Sequence, residues 1–139
     1  MPEPGGALAG EKALVTGASR RLGRAIAERL ARDGAQVALH YRSDESGAVE
    51  TAASIGADSP LLQADLTDAD ACERLVSDAD AALGGLTLLV NNAATFHRTP
   101  LAELEISDFD HFMRTNARSV YVLSLLAGRM FKSRGRGCI

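Results

Sequence analysis

The sequence has few cysteines, no surplus of positive charge and no long apolar run, and each shortage removes a class of protein. Cys72 and Cys138 stand far apart and fit no zinc or redox spacing, so they read as two reduced thiols of a cytoplasmic protein and not as a disulfide framework. Acidic residues outnumber basic ones, 18 to 15, for a net charge of −3 and an isoelectric point near 5.6. That balance leaves no electrostatic footprint for nucleic acid or for an anionic membrane. No segment has the length and purity of a membrane-spanning helix. The start, Met1-Pro2-Glu3-Pro4-Gly5-Gly6, lacks the basic and apolar regions of a signal peptide, and residues 1–10 read as a disordered lead-in. His40, His97 and His111 share no metal-like spacing, so no metal site is expected. No repeat or low-complexity segment is present. What remains is 139 residues of ordinary globular composition, 46% hydrophobic and 24% charged, or about one domain.

The chain alternates short apolar runs with helical periodicity. Ala13-Leu14-Val15 reads as a strand buried on both faces, closed by Thr16-Gly17. Leu22, Ile26 and Leu30 then fall at helical spacing up to Arg32, and Asp33-Gly34 stops the helix. Gln36–Tyr41 is a second strand, and a second helix opens at Arg42–Glu45 with Ser43 as its expected cap. Gly56-Ala57-Asp58-Ser59-Pro60 breaks that helix and Pro60–Ala64 forms a third strand. Thr67 is the expected cap of a helix running to about Ala82, before Gly84-Gly85. Leu86–Val90 is a fourth strand, and a long helix spans about Ser107 to Lys132. The apolar positions of that helix, Phe112, Val120, Leu123 and Ala127 with Tyr121, Val122, Leu125 and Leu126, cover more than one stripe. They imply packing on the sheet on one side and on a partner on the other. Gly135–Ile139 reads as a turn and the first residues of a fifth strand. This alternation predicts an α/β fold, a Rossmann-like doubly wound parallel sheet, of which residues 11–139 hold the N-terminal part.

The chemistry concentrates after the first strand. Gly17 suits a tight turn and close backbone approach to a pyrophosphate, and Gly23 suits close packing of helix on strand. A helix N-terminus offers unpaired N–H groups and partial positive charge to a phosphate. Arg21 occupies a position where dinucleotide folds of this kind usually carry glycine. At the end of the second strand, His40-Tyr41-Arg42-Ser43 contains no acid to bind a ribose 2′-hydroxyl. Arg42 either pairs with a 2′-phosphate, helped by Ser43, or is a solvated charge; in this position the phosphate reading, and so NADP(H) over NAD, is favoured. Asp65 either accepts from an adenine amino group or is an ordinary turn aspartate. Asn91-Asn92-Ala93 ends the fourth strand beside the switch point, where small residues let backbone approach a nucleotide.

Together, Thr16-Gly17-(Ala-Ser-Arg-Arg-Leu)-Gly23, Asp65-Leu66, Asn91-Asn92-Ala93-Ala94 and Asn116 resemble the short-chain dehydrogenase/reductase family, from about Glu11 onward. The resemblance implies an NADP(H)-dependent oxidoreductase acting on a small molecule. In it, Gly17 and Gly23 would hold the glycine-rich loop, with Ser19, Arg20, Arg21 and Leu22 in that loop and Ser19 and Arg20 near the adenosine phosphates. His40, Tyr41, Arg42 and Ser43 would form the cofactor-binding strand end. Asp65 and Leu66 would flank the adenine, and Asn91, Ala93 and Ala94 would line the nucleotide. Asn116 would support a proton relay. Arg21, His40-Tyr41-Arg42-Ser43 and Asn91-Asn92-Ala93-Ala94-Thr95-Phe96 with Thr99-Pro100-Leu101 are similar to the pteridine reductase branch, in which Arg21 would reach cofactor and substrate and Phe96 would stack on a pterin. That branch carries a serine where this chain has Ala94. The family's catalytic serine and Tyr-x-x-x-Lys fall beyond the fifth strand, and residues 1–139 hold neither. The expectation is therefore the cofactor half of a reductase, inactive by itself and, when full length, a homo-oligomer through the long helix. The alternative is a nucleotide-binding or assembly fragment without catalysis.

Overall fold

The computed structural model describes residues 5–56 and 58–139. Its elements are β1 (Lys12–Val15), α1 (Arg21–Arg32), β2 (Gln36–Tyr41), α2 (Glu45–Ile55), β3 (Leu61–Gln63), α3 (Ala69–Leu83), β4 (Leu88–Val90), α4 (Ile106–Met113) and α5 (Ser119–Arg134). The four strands form one parallel sheet in the order β3-β2-β1-β4. Chain order therefore runs outward from β1 through β2 to β3, then returns to the other side of β1. This reversal opens a crevice at the carboxyl ends of β1 and β4, where open α/β sheets take their ligands.

Both faces of the sheet are covered, which is why its strands are apolar at successive positions. Leu14 and Ala38 pack with Cys72, Leu75, Val76 and Ala79 of α3 and Leu123, Ala127 and Phe131 of α5. Ala13, Val15, Val37 and Leu39 pack on the other side with Ala27 and Ala31 of α1 and Ala52 and Ile55 of α2. The expected fifth strand begins as predicted: Cys138 forms a parallel bridge with Leu88 and exchanges hydrogen bonds with Thr87 and Leu89.

Several local expectations are corrected. On α1 the buried side is Gly23, Ala27 and Ala31, while Leu22 is 66% exposed and Ile26 and Leu30 are half-buried. Small residues take the face nearest the sheet, and Ile26 and Leu30 pack at the margin of the same core. Asp44, not Ser43, caps α2, its carboxylate accepting from the Gly47 N–H at 3.1 Å. Asp68, not Thr67, caps α3, because Thr67 is held by Asp65 through its N–H (2.9 Å) and hydroxyl (2.8 Å). The third and fourth strands are shorter than expected, and α3 runs to Leu83. The long helix is interrupted by a π turn at Arg114–Arg118 and ends at Arg134. Phe112 leaves the expected core stripe and packs against His97, ring centroids 4.8 Å apart. Of the lead-in, residues 1–4 lie outside the described residues, as does Ala57 in the break after α2; Leu8 donates its N–H to the Asp33 carbonyl at 2.8 Å. Cys72 is buried and Cys138 exposed, both free thiols. Among the described residues no helix is long and apolar enough to cross a membrane.

The two sides of α5 differ in energetic weight. Leu123 is 1% exposed whereas Leu125 is 37% exposed. Leu123→Ala should lower the free energy of unfolding by about 2–5 kcal/mol and Leu125→Ala by less than about 1 kcal/mol. Denaturant titration of both variants checks this, and equal losses would contradict the inward orientation of Leu123.

Candidate nucleotide site

The turn after β1 is fixed by groups from three other segments. The Thr16 hydroxyl accepts from the N–H groups of Asn92 and Ala93, both at 3.0 Å, and lies 3.2 Å from the Val90 carbonyl, to which it donates. The Asn92 amide donates to the carbonyls of Thr16 (2.9 Å) and Gly17 (3.1 Å). His40 accepts from the Gly17 N–H at 3.0 Å. From α2, the buried Thr51 hydroxyl reaches the Ala18 carbonyl at 3.1 Å.

Steric limits explain the two glycines. Gly17 has φ 64°, and a Cβ on it would sit 3.0 Å from the Ala93 Cα. A Cβ on Gly23 would collide with the Gly17 carbonyl and the Asn92 amide. Helix α1 therefore starts in contact with the turn. Arg21 opens α1 with φ 50°, the one described non-glycine residue at positive φ. That left-handed backbone is what a glycine would adopt without strain.

A cleft of about 510 Å³ lies along this turn. It brings together Gly17, Ser19, Arg20, Arg21, Leu22, Gly23, His40, Tyr41, Arg42, Ser43, Asp65, Leu66, Ala93, Ala94 and Phe96, so almost every residue singled out from the sequence shares one wall. Asn91 is the exception: its amide turns away to the Ser124 hydroxyl at 3.0 Å. Asn116 is also outside the cleft lining. Its side-chain amide instead brackets the backbone of Thr95, accepting from the N–H and donating to the carbonyl, each at 2.8 Å. The residues to which sequence reasoning assigned no site role are Asn92, Thr16, Thr51 and Asp44. Asn92 carried a signal as the second member of the Asn-Asn pair, and Thr16 as the first residue of the glycine motif.

The charges in the cleft are unequal in freedom. Asp65 spends its carboxylate on Thr67 and Asp44 on Gly47, and these hydrogen bonds hold both below the usual aspartate range. Arg20, Arg21 and Arg42 make no ion pair with a described residue. A second hollow, at the amino ends of the strands, has no such surplus. There Arg134 pairs with Asp80, Arg136 with Glu11, and Lys12 with the Gly84 carbonyl. The cleft beside the glycine turn is thus the place prepared for an anion.

The strain at Arg21 has a measurable consequence. Arg21→Gly should raise the free energy of unfolding by about 0.5–1 kcal/mol, the relief of a left-handed L-residue less the added freedom of the unfolded glycine. A thermal melt showing destabilisation instead would mean that the guanidinium makes contacts outweighing the strain.

Comparison with known proteins agrees with this geometry. Residues 11–139 match the family model described as short chain dehydrogenase. Gluconate 5-dehydrogenase of Gluconobacter oxydans is 39% identical over 137 residues, covering 95% of this chain and 52% of the relative. The 3-oxoacyl-[acyl-carrier-protein] reductase FabG of Staphylococcus aureus is 36% identical, over 80% of this chain and 46% of the relative. Among solved structures, a short-chain dehydrogenase from Burkholderia cenocepacia in complex with NADP is 42% identical with a TM-score of 0.84, covering 88% of this chain and 51% of that one. The chain spans about half the length of the curated relatives it matches. By the family match over residues 11–139, this chain belongs to the short-chain dehydrogenase family.

Proposed function

We propose that residues 11–139 are the NADP(H)-binding part of a reductase. The observation that carries the reading is the trio of unpaired guanidiniums, Arg20, Arg21 and Arg42, in a cleft whose acids are already committed to backbone N–H groups. The residues fit a dinucleotide phosphate. Gly17 and Gly23 have no room for a side chain, which lets the turn and the start of α1 close on each other at the cleft. Ser19 and Arg20 are assigned to the adenosine phosphates, and Arg42 and Ser43 to the 2′-phosphate. His40 and Tyr41 form the strand end behind them, Asp65 and Leu66 flank the adenine, and Ala93 and Ala94 keep the cleft floor low. Bound NADPH would supply the hydride; the chain's own part is to hold and orient it. Asn116 and Asn91 act by position: Asn116 fixes the Thr95 backbone at the cleft edge, and Asn91 ties the end of β4 to α5. Residues 1–139 contain no Tyr-x-x-x-Lys.

For substrate we propose a pterin. Phe96 is 90% exposed at the cleft and Arg21 lies in the same lining, an open aromatic face beside a cation. The exposed Met113, Tyr121 and Leu125 on the outer side of α4–α5 support assembly with a second copy. The two free thiols support a reducing, cytoplasmic setting.

Calorimetric titration with NADPH and NADH tests the cofactor assignment. Arg42→Asp should weaken NADPH by at least tenfold, as loss of a charge-assisted phosphate contact does, and NADH far less. Equal loss for both would remove the 2′-phosphate role. For the substrate, pterin binding to the NADP-loaded protein should weaken about 2- to 10-fold in Phe96→Ala, the range of a lost aromatic pair. No pterin binding, alongside binding of a polyol or acyl ketone, would overturn the pterin assignment.

A further inference from the structure

His40 is 2% exposed, and backbone groups of two other segments take up both of its ring nitrogens. Nδ1 lies 3.0 Å from the Gly17 amide nitrogen, and Nε2 lies 3.0 Å from the Ala64 carbonyl oxygen. An amide N–H only donates and a carbonyl only accepts. The partners therefore dictate one state, a neutral imidazole with its lone pair on Nδ1 and its proton on Nε2. One side chain of β2 thus joins the turn after β1 to the segment after β3, the two walls of the cleft. The backbone repeats the link, since the Ala18 N–H donates to the His40 carbonyl at 2.9 Å.

We propose that His40 is a positioning residue of the nucleotide site: its neutral ring sets the Gly17 amide and so the phosphate-binding turn, and a proton added at Nδ1 releases the turn and weakens nucleotide binding in acid.

The physical reason is donor against donor. The imidazolium would aim an N–H at the Gly17 N–H across 3.0 Å, in a site where the ring is enclosed. One of the two must move. Gly17 is also gripped through its carbonyl by Asn92, so the displacement passes into the whole turn.

Burial holds the His40 pKa below the ordinary histidine value, with the contact to the Ala64 carbonyl pulling the other way. A folded pKa below the unfolded one gives stabilisation that is complete above about pH 6.5 and is lost as pH falls from there through the folded value. The charged groups on the surrounding segments are Arg20 and Arg21 from the turn, Arg42 and Asp44 after β2, and Asp65 after β3. On the α3 side are Cys72, Asp68 at the cap of α3 and Arg118 before α5. The arginines oppose a further positive charge; Asp44 and Asp65 are bound to backbone N–H groups, and burial keeps the Cys72 thiol neutral.

The binding arm of the test rests on the NADP(H) reading; the structural arm does not. NADPH affinity is measured from pH 8 to pH 5 for the unaltered protein, His40→Leu and His40→Asn. Leucine fills the space without an acceptor, whereas an asparagine amide oxygen replaces Nδ1 and does not titrate. His40→Leu should lose on the order of tenfold in affinity at pH 8, the worth of one buried hydrogen bond, and His40→Asn should restore most of it. Between pH 7.5 and 5 the unaltered protein should weaken on the order of tenfold more than His40→Asn. Every other titrating group is common to the two proteins, so parallel slopes would overturn the proposal, as would native-like binding by His40→Leu. Should NADPH bind none of them, the cofactor reading fails and nitrogen-15 NMR still decides the role of His40. The ring should carry its lone pair on Nδ1 at pH 7.5, and the Gly17 amide resonance should shift with the His40 titration. A Gly17 amide indifferent to that titration would refute the role.

Discussion

The cleft depends on a few consecutive peptide groups, Thr16 to Ser19, being held in one conformation. A chain leaving a strand and entering a helix has several ways to turn, and few of them aim its N–H groups at a common point. Here the alternatives are removed by hydrogen bonds to the turn's own backbone: His40 on the Gly17 N–H, Asn92 on the Gly17 carbonyl, Thr51 on the Ala18 carbonyl. Close contact does the rest. Gly23 lies so near the Gly17 carbonyl that α1 cannot shift without breaking the packing. A site arranged in this way has its donors placed before an anion arrives, so binding need not meet the entropy of ordering them.

The same hydrogen bonds settle the electrostatics. Asp44 and Asp65 in the cleft lining are used as a cap and a turn lock, which lowers their affinity for protons and keeps them out of contact ion pairs with the arginines, although Arg20 and Arg42 still attract them at longer range. Arg20, Arg21 and Arg42 are consequently left facing a cleft that also opens onto a helix N-terminus. At the opposite end of the sheet, cations of equal number are consumed by Asp80, Glu11 and the Gly84 carbonyl. Net charge of the chain, −3, says nothing of this difference. Pairing, not composition, decides where an anion is welcome.

Sequence made the succession of strands and helices legible because apolar runs, glycine stops and helical spacing alternate, and the cleft residues followed from their places at strand ends. Where the reading failed, the cause was contacts, near or far in the chain, that residue type and spacing do not reveal. Thr67 is a good cap by type, yet Asp65 claims it first and the cap passes to Asp68. Leu22 has the right spacing for the core, but the closeness imposed by Gly23 turns the helix so that alanines face the sheet. Thr51 and Asn92 look like an ordinary helix residue and an ordinary turn residue; their partners lie 33 and 75 positions away. The π turn at Arg114–Arg118 has no marker in periodicity either, because its surroundings are helical on both sides.

Arg21 joins these threads. A left-handed backbone costs an L-residue about 1–2 kcal/mol, and such strain persists only where the surroundings fix it. The surroundings here do fix it: the turn is pinned before Arg21 by Thr51 and Asp44, and after it by Gly23 against Gly17. The backbone conformation is therefore set by the turn, whatever residue stands there. Glycine would satisfy the turn at lower cost, so the arginine is not explained by the fold. Its side chain, placed in the cleft lining with Phe96 and without an ionic partner, is what the strain secures. The outlier therefore supports the reading proposed for the cleft, in which the Arg21 cation and the exposed Phe96 ring of the same lining serve whatever binds against the proposed nucleotide.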